Sequence, residues 1–425
     1  MKKIAVIGAG LSGLISAYIL SKESVAEITI FEKGNTFSER FLDKESNMLY
    51  GVGGAGTLAG GKFCFPPASS GVWRKTGLEI SDFTYFIKNY LNEFFDESFN
   101  EDLFIPNFNK ISKTGIVNKE FETKLLLENE MHRFINSILL KLMSQNVKIR
   151  TNTCLIKCSK SENANFVFYS DENSENCIES FDYVIIATGR SSANDICEWL
   201  PTKYINQVSP DLGIRITVND KDNEIFSTYG QDVKLKASFG NISVRTFCVC
   251  SGGDSALIKY GALSYYDGHF GASLSNIVNF GVLVRNKTVV GTNNAFEFCV
   301  DLERYVKDDV TLKDVMVYGS KFLKKRSKFN YVFDAINHFV TNMVKDGFIA
   351  SNLDKYQAYM PSIDRLNPIV STNKYFETGL MNLYVVGDAA GVSRGFVQSM
   401  WSAYYASENI LWKLAIERYQ CKRVV

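Results

Sequence analysis

Short apolar runs ending in glycine, separated by stretches with helical spacing, mark both ends of the chain. Residues 4–7, Ile-Ala-Val-Ile, are an uninterrupted apolar run of the kind seen in a strand buried on both faces of a parallel sheet. Glycines at 8, 10 and 13 follow at once. Apolar residues at helical spacing then occupy 14–21, and Ile28-Thr-Ile-Phe31 reads as the next parallel strand, closing a βαβ unit by about residue 32.

Residues 47–71 are loop-like and rich in glycine. Segments 81–96 and 120–145 predict helices, the second with Leu125, Leu126, Leu127, Phe134, Ile135, Ile138, Leu139 and Leu142 at apolar positions. An extended pattern covers 147–169, and the polar segment 171–176 predicts a turn between strands. Tyr183-Val-Ile-Ile-Ala187 is another doubly buried strand, ending in Thr188-Gly189. Residues 210–300 are mainly β in pattern and 301–360 helical. Leu383-Tyr-Val-Val386 is a last short strand, ending in Gly387-Asp388 and leading into a helix over roughly 395–415. No internal repeat of fixed period is present.

Parallel-type strands at both ends, with a β-rich stretch between them, predict an α/β fold. It consists of a Rossmann-like nucleotide-binding domain, discontinuous in sequence, with an inserted β-rich α+β domain on the substrate side. Residues 1–75, 146–209 and 376–425 make up the first, 76–145 a helical segment flanking it, and 210–375 the second. A chain of 425 residues exceeds what one core usually supports, which agrees with that division.

Composition excludes more than it assigns. Lys plus Arg total 47 against 46 Asp plus Glu, so no global field would draw in nucleic acid or an anionic membrane. No apolar stretch reaches the roughly 18–20 residues of a spanning helix. Met1-Lys2-Lys3 and the apolar run after it do not read as a signal peptide, because glycines break the run. Nine scattered cysteines fit a reducing cytosol, so a cytoplasmic location is expected. The 13% aromatic content suits a large apolar pocket, although codon bias would produce the same excess.

In Gly8-Ala9-Gly10-Leu11-Ser12-Gly13 each glycine has its own steric task. The first makes the tight turn, the second lets the backbone approach a pyrophosphate, and the third lets helix and strand pack closely. The phosphates then sit at a helix N-terminus, where free N–H groups favour negative charge. Glu32, about 20 residues on and followed by Lys33, stands where a carboxylate accepts hydrogen bonds from ribose hydroxyls and repels a 2′-phosphate. These residues predict a dinucleotide other than NADP, without separating FAD from NAD.

The strand ends Ala187-Thr188-Gly189 and Gly387-Asp388 resemble two further signatures of the two-dinucleotide-fold flavoprotein superfamily. That resemblance implies FAD, with Asp388 near its ribityl and pyrophosphate groups and the following helix aimed at the flavin pyrimidine. On the residues alone, Asp388 is equally an N-cap.

Four blocks also resemble a microbial family of NAD(FAD)-utilising, or FAD-dependent, dehydrogenases. The first runs from Glu45 through Gly53-Gly54-Ala55-Gly56-Thr57 to Gly61-Lys62. The second is Ala187-Thr-Gly-Arg-Ser-Ser192 with Glu198-Trp-Leu200. The third comprises Asp211-Leu-Gly-Ile-Arg215, Val244-Arg-Thr-Phe-Cys248 and Gly252-Gly253, and the fourth is Val386-Gly-Asp-Ala-Ala-Gly391. The chain departs from that family at Val52, where an acid is common, at Ala59-Gly60, where a Ser-Asp pair is common, and in the last block, which more often reads Gly-Glu-Gly-Ala-Gly.

Six glycines within 51–61 give a backbone able to pass close to a flavin ring and offer it N–H donors. Lys62, Arg40 and Arg74 are candidate partners for phosphate or an acidic substrate, Arg40 first because it follows the acid-ended strand. Cys248 and Cys250 form C-x-C rather than the C-x-x-C of flavin disulfide reductases, so redox-active cysteine is not expected. The three histidines, His132, His269 and His338, have no clustered ligands, so no metal is expected. His269, beside Tyr265, Tyr266 and Asp267, is the candidate catalytic acid–base group.

A second strand-linked GxGxxG for NAD(P)H is absent. The expected function is an FAD-dependent oxidoreductase whose flavin accepts hydride from a small organic substrate. The alternative is an NAD(P)H-driven monooxygenase or double-bond reductase using NAD(P)H as a transient reductant, and a third reading is FAD as a structural or sensing ligand.

Overall fold

The computed structural model describes residues 1–42, 48–95, 109–160, 165–171, 173–219, 232–261, 263–302 and 310–424, with the side chains of 59, 109 and 421–424 left aside. The first family block, which begins at Glu45, lies partly outside the described residues.

A five-stranded parallel sheet has the order Leu383–Val385, Tyr183–Ile186, Lys2–Ile7, Ala26–Phe31, Lys148–Arg150. Its central strand pairs Ile4 with Tyr183 on one side and with Ile28 on the other, so both flanks carry uninterrupted apolar runs. The helix Leu11–Lys22 connects the central strand Lys2–Ile7 to its neighbour Ala26–Phe31. Residues 11–21 are all buried, because the sheet, the long helix Phe396–Val424 and the helix Glu128–Ser144 pack around it. Ser21 is tolerated inside because its hydroxyl donates to the Tyr18 carbonyl at 2.9 Å.

A second sheet has seven strands, in the order Gln357–Asp364, Asp211–Asn219, Ile277–Asn286, Ile242–Ser251, Lys234–Phe239, Val117–Lys119, Asn109–Ile111. The strands are antiparallel throughout. The helices Asn293–Leu302 and Asn330–Lys345 pack against it, burying Phe298, Phe339 and Val340 against Ile214, Phe280 and Val282. Each sheet carries its own apolar core.

The α/β expectation therefore matches the structure, and three local readings change. Residues 123–126 do not extend the following helix; Thr123–Leu126 is a strand paired with Gly61–Cys64, and the helix begins at Glu128. Glu130 braces that start by accepting the Leu127 N–H at 2.9 Å, a contact that local apolar spacing does not show. The helical reading of 301–360 ends early, because Gln357–Asp364 is an edge strand of the second sheet. The aromatic excess goes largely into packing: Trp73, Phe83 and Phe86 surround Trp401 at ring distances of 5.8, 5.5 and 5.4 Å.

Candidate functional site

A cavity of about 410 Å³ lies between the two sheets, within the size range of cofactor and substrate pockets. At one end it meets the turn after the first strand. Gly8 has φ +104°, and an added Cβ would stand 2.6 Å from the Ala187 carbonyl oxygen of the neighbouring strand. A Cβ on Gly13 would meet the Gly8 carbonyl oxygen at 1.9 Å, so the helix sits directly on the turn. Gly10 differs: its Cβ position has only the Gly54 Cα nearby, at 3.7 Å, and faces the cavity. It is also the N-cap of the 12-residue helix Leu11–Lys22 and supplies no capping side chain. The free N–H groups there suit a pyrophosphate.

Glu32, 5% exposed, ends the second strand on the cavity wall. It accepts the Ala9 N–H at 2.8 Å, the Gly34 N–H at 2.9 Å and the Gly51 N–H at 2.9 Å. One carboxylate thus ties together the glycine turn, its own loop and the glycine-rich segment. A carboxylate offers about four acceptor positions, which leaves roughly one for a ribose hydroxyl. We expect Glu32→Ala to lose about 3 kcal/mol of stability in urea denaturation, because three buried N–H groups lose their acceptor; unchanged stability would refute this anchoring role.

The glycine-rich segment lies against the turn. Gly53 donates its N–H to the Ala9 carbonyl at 2.8 Å, and a Cβ on Gly54 would meet the Gly10 Cα at 2.9 Å. Gly54, Ala55 and Gly56 line the cavity, and Thr57 is fully buried below Gly53. Among the other expected residues, Leu11, Ser12 and Lys33 line the cavity, as do Ala187, Thr188, Gly189 and Asp388; Gly13, Arg40, Thr57 and Gly387 stand behind the wall. Arg40 is fully buried and donates from Nη1 to the Val52 carbonyl at 2.7 Å, bracing the loop from within. Burial pushes its guanidinium down to about 10, against the pull of Glu32. Arg74 is exposed.

The two later strand ends meet through a residue that the sequence reading did not single out. Asn367 donates from Nδ2 to the Gly189 carbonyl at 3.0 Å and to the Asp388 carbonyl at 2.7 Å, holding both turns on one wall. Asp388 lies 3.6 Å from Arg190, and burial raises its carboxyl while Arg190 opposes that rise. The start of the helix Phe396–Val424 adds Phe396 and Ser399 to the same wall.

The second sheet supplies the far end: Lys234, Arg245, Phe247 and Cys248 from two strands, and Tyr265 and Asp267 from the hairpin Asp254–Tyr260 with Leu263–His269. Behind it stands a buried charge network. Asp211, 1% exposed, accepts from Arg245 Nη2 at 2.7 Å and from Arg285 Nε at 2.5 Å, while Arg245 also reaches Asp364 at 2.6 Å. Arg394 pairs with Asp364 too. Arg190 bridges the two sheets, with Asp267 at 3.3 Å and Asp364 at 3.6 Å. His269 stands between the cavity-lining Gly268 and Phe270, and its Nε2 lies 3.2 Å from the Leu58 carbonyl. Among the described residues, no group of three or more His, Cys, Asp or Glu is arranged to hold a metal ion, and no helix is long and apolar enough to cross a membrane.

Against known proteins, residues 6–55 match the family model described as an NAD(P)-binding Rossmann-like domain. No curated protein matches the chain. Several solved structures resemble it weakly. A geranylgeranyl bacteriochlorophyll reductase-like protein from Thermoplasma acidophilum is 12% identical over 98% of this chain and 79% of that one, with a TM-score of 0.47. The p-nitrophenol 4-monooxygenase PnpA from Pseudomonas putida DLL-E4 is 12% identical over 98% and 82%, with a TM-score of 0.43. A flavoprotein/dehydrogenase from Cytophaga hutchinsonii is 10% identical over 96% and 78%, with a TM-score of 0.44. At these identities and scores the likeness carries no argument about chemistry; what stands is an α/β chain that opens with a Rossmann-like nucleotide-binding unit.

Proposed function

We propose that the chain is an FAD-dependent oxidoreductase whose flavin accepts hydride from a small organic substrate, placing it with the FAD-dependent dehydrogenases that its four sequence blocks resemble. The observation that carries this reading is the continuity of one cavity, from the Gly10 backbone and Glu32 at one end to Phe247, Tyr265 and Asp267 at the other. A dinucleotide seated on the glycine turn would extend along the glycine-rich segment toward the second sheet.

The residues present fit such a group. Gly10 leaves the space for a pyrophosphate that a Cβ would fill, and the uncapped helix end supplies donors. Glu32 would hold the ribose end, and the helix beginning at Phe396 presents its positive end to the opposite wall. When bound, the flavin supplies a two-electron acceptor. Arg190 and the carboxylates of Asp267 and Asp388 fix the polar wall, while Phe247 and Phe396 exclude water from it.

Anaerobic mixing of the flavin-loaded protein with NADH, NADPH or organic donors tests the direction of electron flow. Bleaching by an organic donor but not by either nicotinamide is the expected result. Fast bleaching by NADH or NADPH would overturn it in favour of an NAD(P)H-driven monooxygenase or reductase.

A further inference from the structure

Sulfur and charge are concentrated on the cavity wall formed by the strands Gly61–Cys64 and Ile242–Ser251. Cys64, Cys248 and Cys250 all line the cavity, together with Lys62. The Cys248 and Cys250 sulfurs are 3.7 Å apart. Residues two apart on a strand share a face, and here the strand is also irregular: its register slips between Phe247 and Cys250, and Cys248 has φ +45°. A left-handed conformation at a non-glycine residue is strained and persists only where neighbours enforce it. They do so here. Arg215, fully buried, donates to the Cys248 carbonyl at 2.7 Å and the Phe247 carbonyl at 3.2 Å, and Asp232 accepts the Val249 N–H at 3.0 Å.

The two thiols are not equivalent. Cys248 is partly accessible, whereas Cys250 is fully buried behind it. The Lys62 ammonium, 8% exposed, is held by Asp232 at 3.2 Å and donates to the Val249 carbonyl at 2.6 Å. Hydrogen bonding from Cys250 pulls the Cys248 thiol below its ordinary value, against burial and with help from Lys62. Burial pushes the Cys250 thiol up. An accessible thiol that ionises readily beside a buried one that stays protonated is the division between an attacking and a resolving cysteine.

We propose that Cys248 and Cys250 form a reversible dithiol–disulfide pair that opens onto the cavity and exchanges with a small disulfide substrate. The Cys248 thiolate attacks one sulfur of the incoming disulfide, forms a mixed disulfide and expels one thiolate. Cys250 then attacks the Cys248 sulfur, its proton passing to the departing thiolate, so that the internal S–S bond closes and the second thiol leaves. The two protein sulfurs are oxidised by the electron pair that the external disulfide gains. The step needs no flavin, so it stands or falls separately from the reading of the cavity as an FAD site.

The test uses the full-length protein, reduced, desalted, and exposed to excess oxidised glutathione before alkylation, trypsin digestion and mass spectrometry. Residues 246–259 form one tryptic peptide containing both cysteines. It is expected to lose both alkylatable thiols and to be lighter by two hydrogens than the reduced peptide. Cys250→Ser is expected to accumulate a glutathione adduct on Cys248, whereas Cys248→Ser should form neither adduct nor bond in this peptide. A wild-type peptide that still carries two alkylated cysteines, or a Cys248–Cys64 link instead, would overturn the proposal without any variant having to fold.

Discussion

Gly10→Val is expected to give a folded protein that no longer retains flavin. The Cβ position of Gly10 meets only the Gly54 Cα, at 3.7 Å, and the residue already has φ −75°, so the chain accepts a side chain there without strain. The valine methyl groups then occupy the place where the backbone must approach the pyrophosphate. We expect FAD affinity to fall at least about a hundredfold, on the order of 3 kcal/mol, with little change in melting temperature. Gly13→Ala is the contrasting variant. Its Cβ falls 1.9 Å from the Gly8 carbonyl oxygen, a backbone atom that cannot rotate away, so about 3 kcal/mol of stability should be lost. Flavin content and thermal melting measured on both variants separate the two roles. Undiminished flavin in Gly10→Val would remove the pyrophosphate from this turn.

The second large effect is expected at Asp211. Burial alone would raise its carboxyl, yet the Arg245 and Arg285 guanidiniums outweigh that and hold it well below the ordinary 3.8. Removing one partner of a buried pair leaves uncompensated charge and costs about 3–5 kcal/mol. Asp364 remains on Arg245 at 2.6 Å, so Asp211→Ala should fall at the lower end of that range. That is a large share of the total stability of an ordinary domain. The pH dependence has a definite sign. Because folding depresses this carboxyl, its contribution is full above 3.8 and is lost as pH falls through the lower folded value. Urea denaturation of wild type and Asp211→Asn should therefore differ at neutral pH and converge in strong acid. A difference that persists unchanged below pH 3 or so would assign the effect to packing instead.

Legibility in the sequence follows how local each cause is. The turn at Gly8, Gly10 and Gly13 and the acid at Glu32 lie within one βαβ unit, where spacing along the chain translates directly into geometry. Leu125, Leu126 and Leu127 show the opposite case. They run on into the helical spacing that follows, but pairing of Leu125 and Leu126 with Gly61–Cys64, distant in sequence, decides their conformation. The charge network is less legible still. Asp211, Arg245, Arg285 and Asp364 come from four strands, and each alone reads as a solvated residue. Only Asp211 and Arg215, four apart on a strand that also carries Leu212, Ile214, Ile216 and Val218, hint that this strand carries buried charge. Asn367 gave no sign, because its partners are backbone carbonyls of two separate turns. His269 is a further case of a distant partner: its aromatic and acidic neighbours suggest catalysis, and the fold adds a contact of its ring with the Leu58 carbonyl that the sequence does not show.

The central claim is that this cavity binds FAD in particular among the dinucleotides. Calorimetric titration of the flavin-free protein with FAD, NAD and NADP in parallel tests it most directly. The account predicts stoichiometric FAD binding that neither nicotinamide displaces, with NADP the weakest ligand because Glu32 opposes a 2′-phosphate. Tight binding of NAD with no uptake of FAD would contradict it.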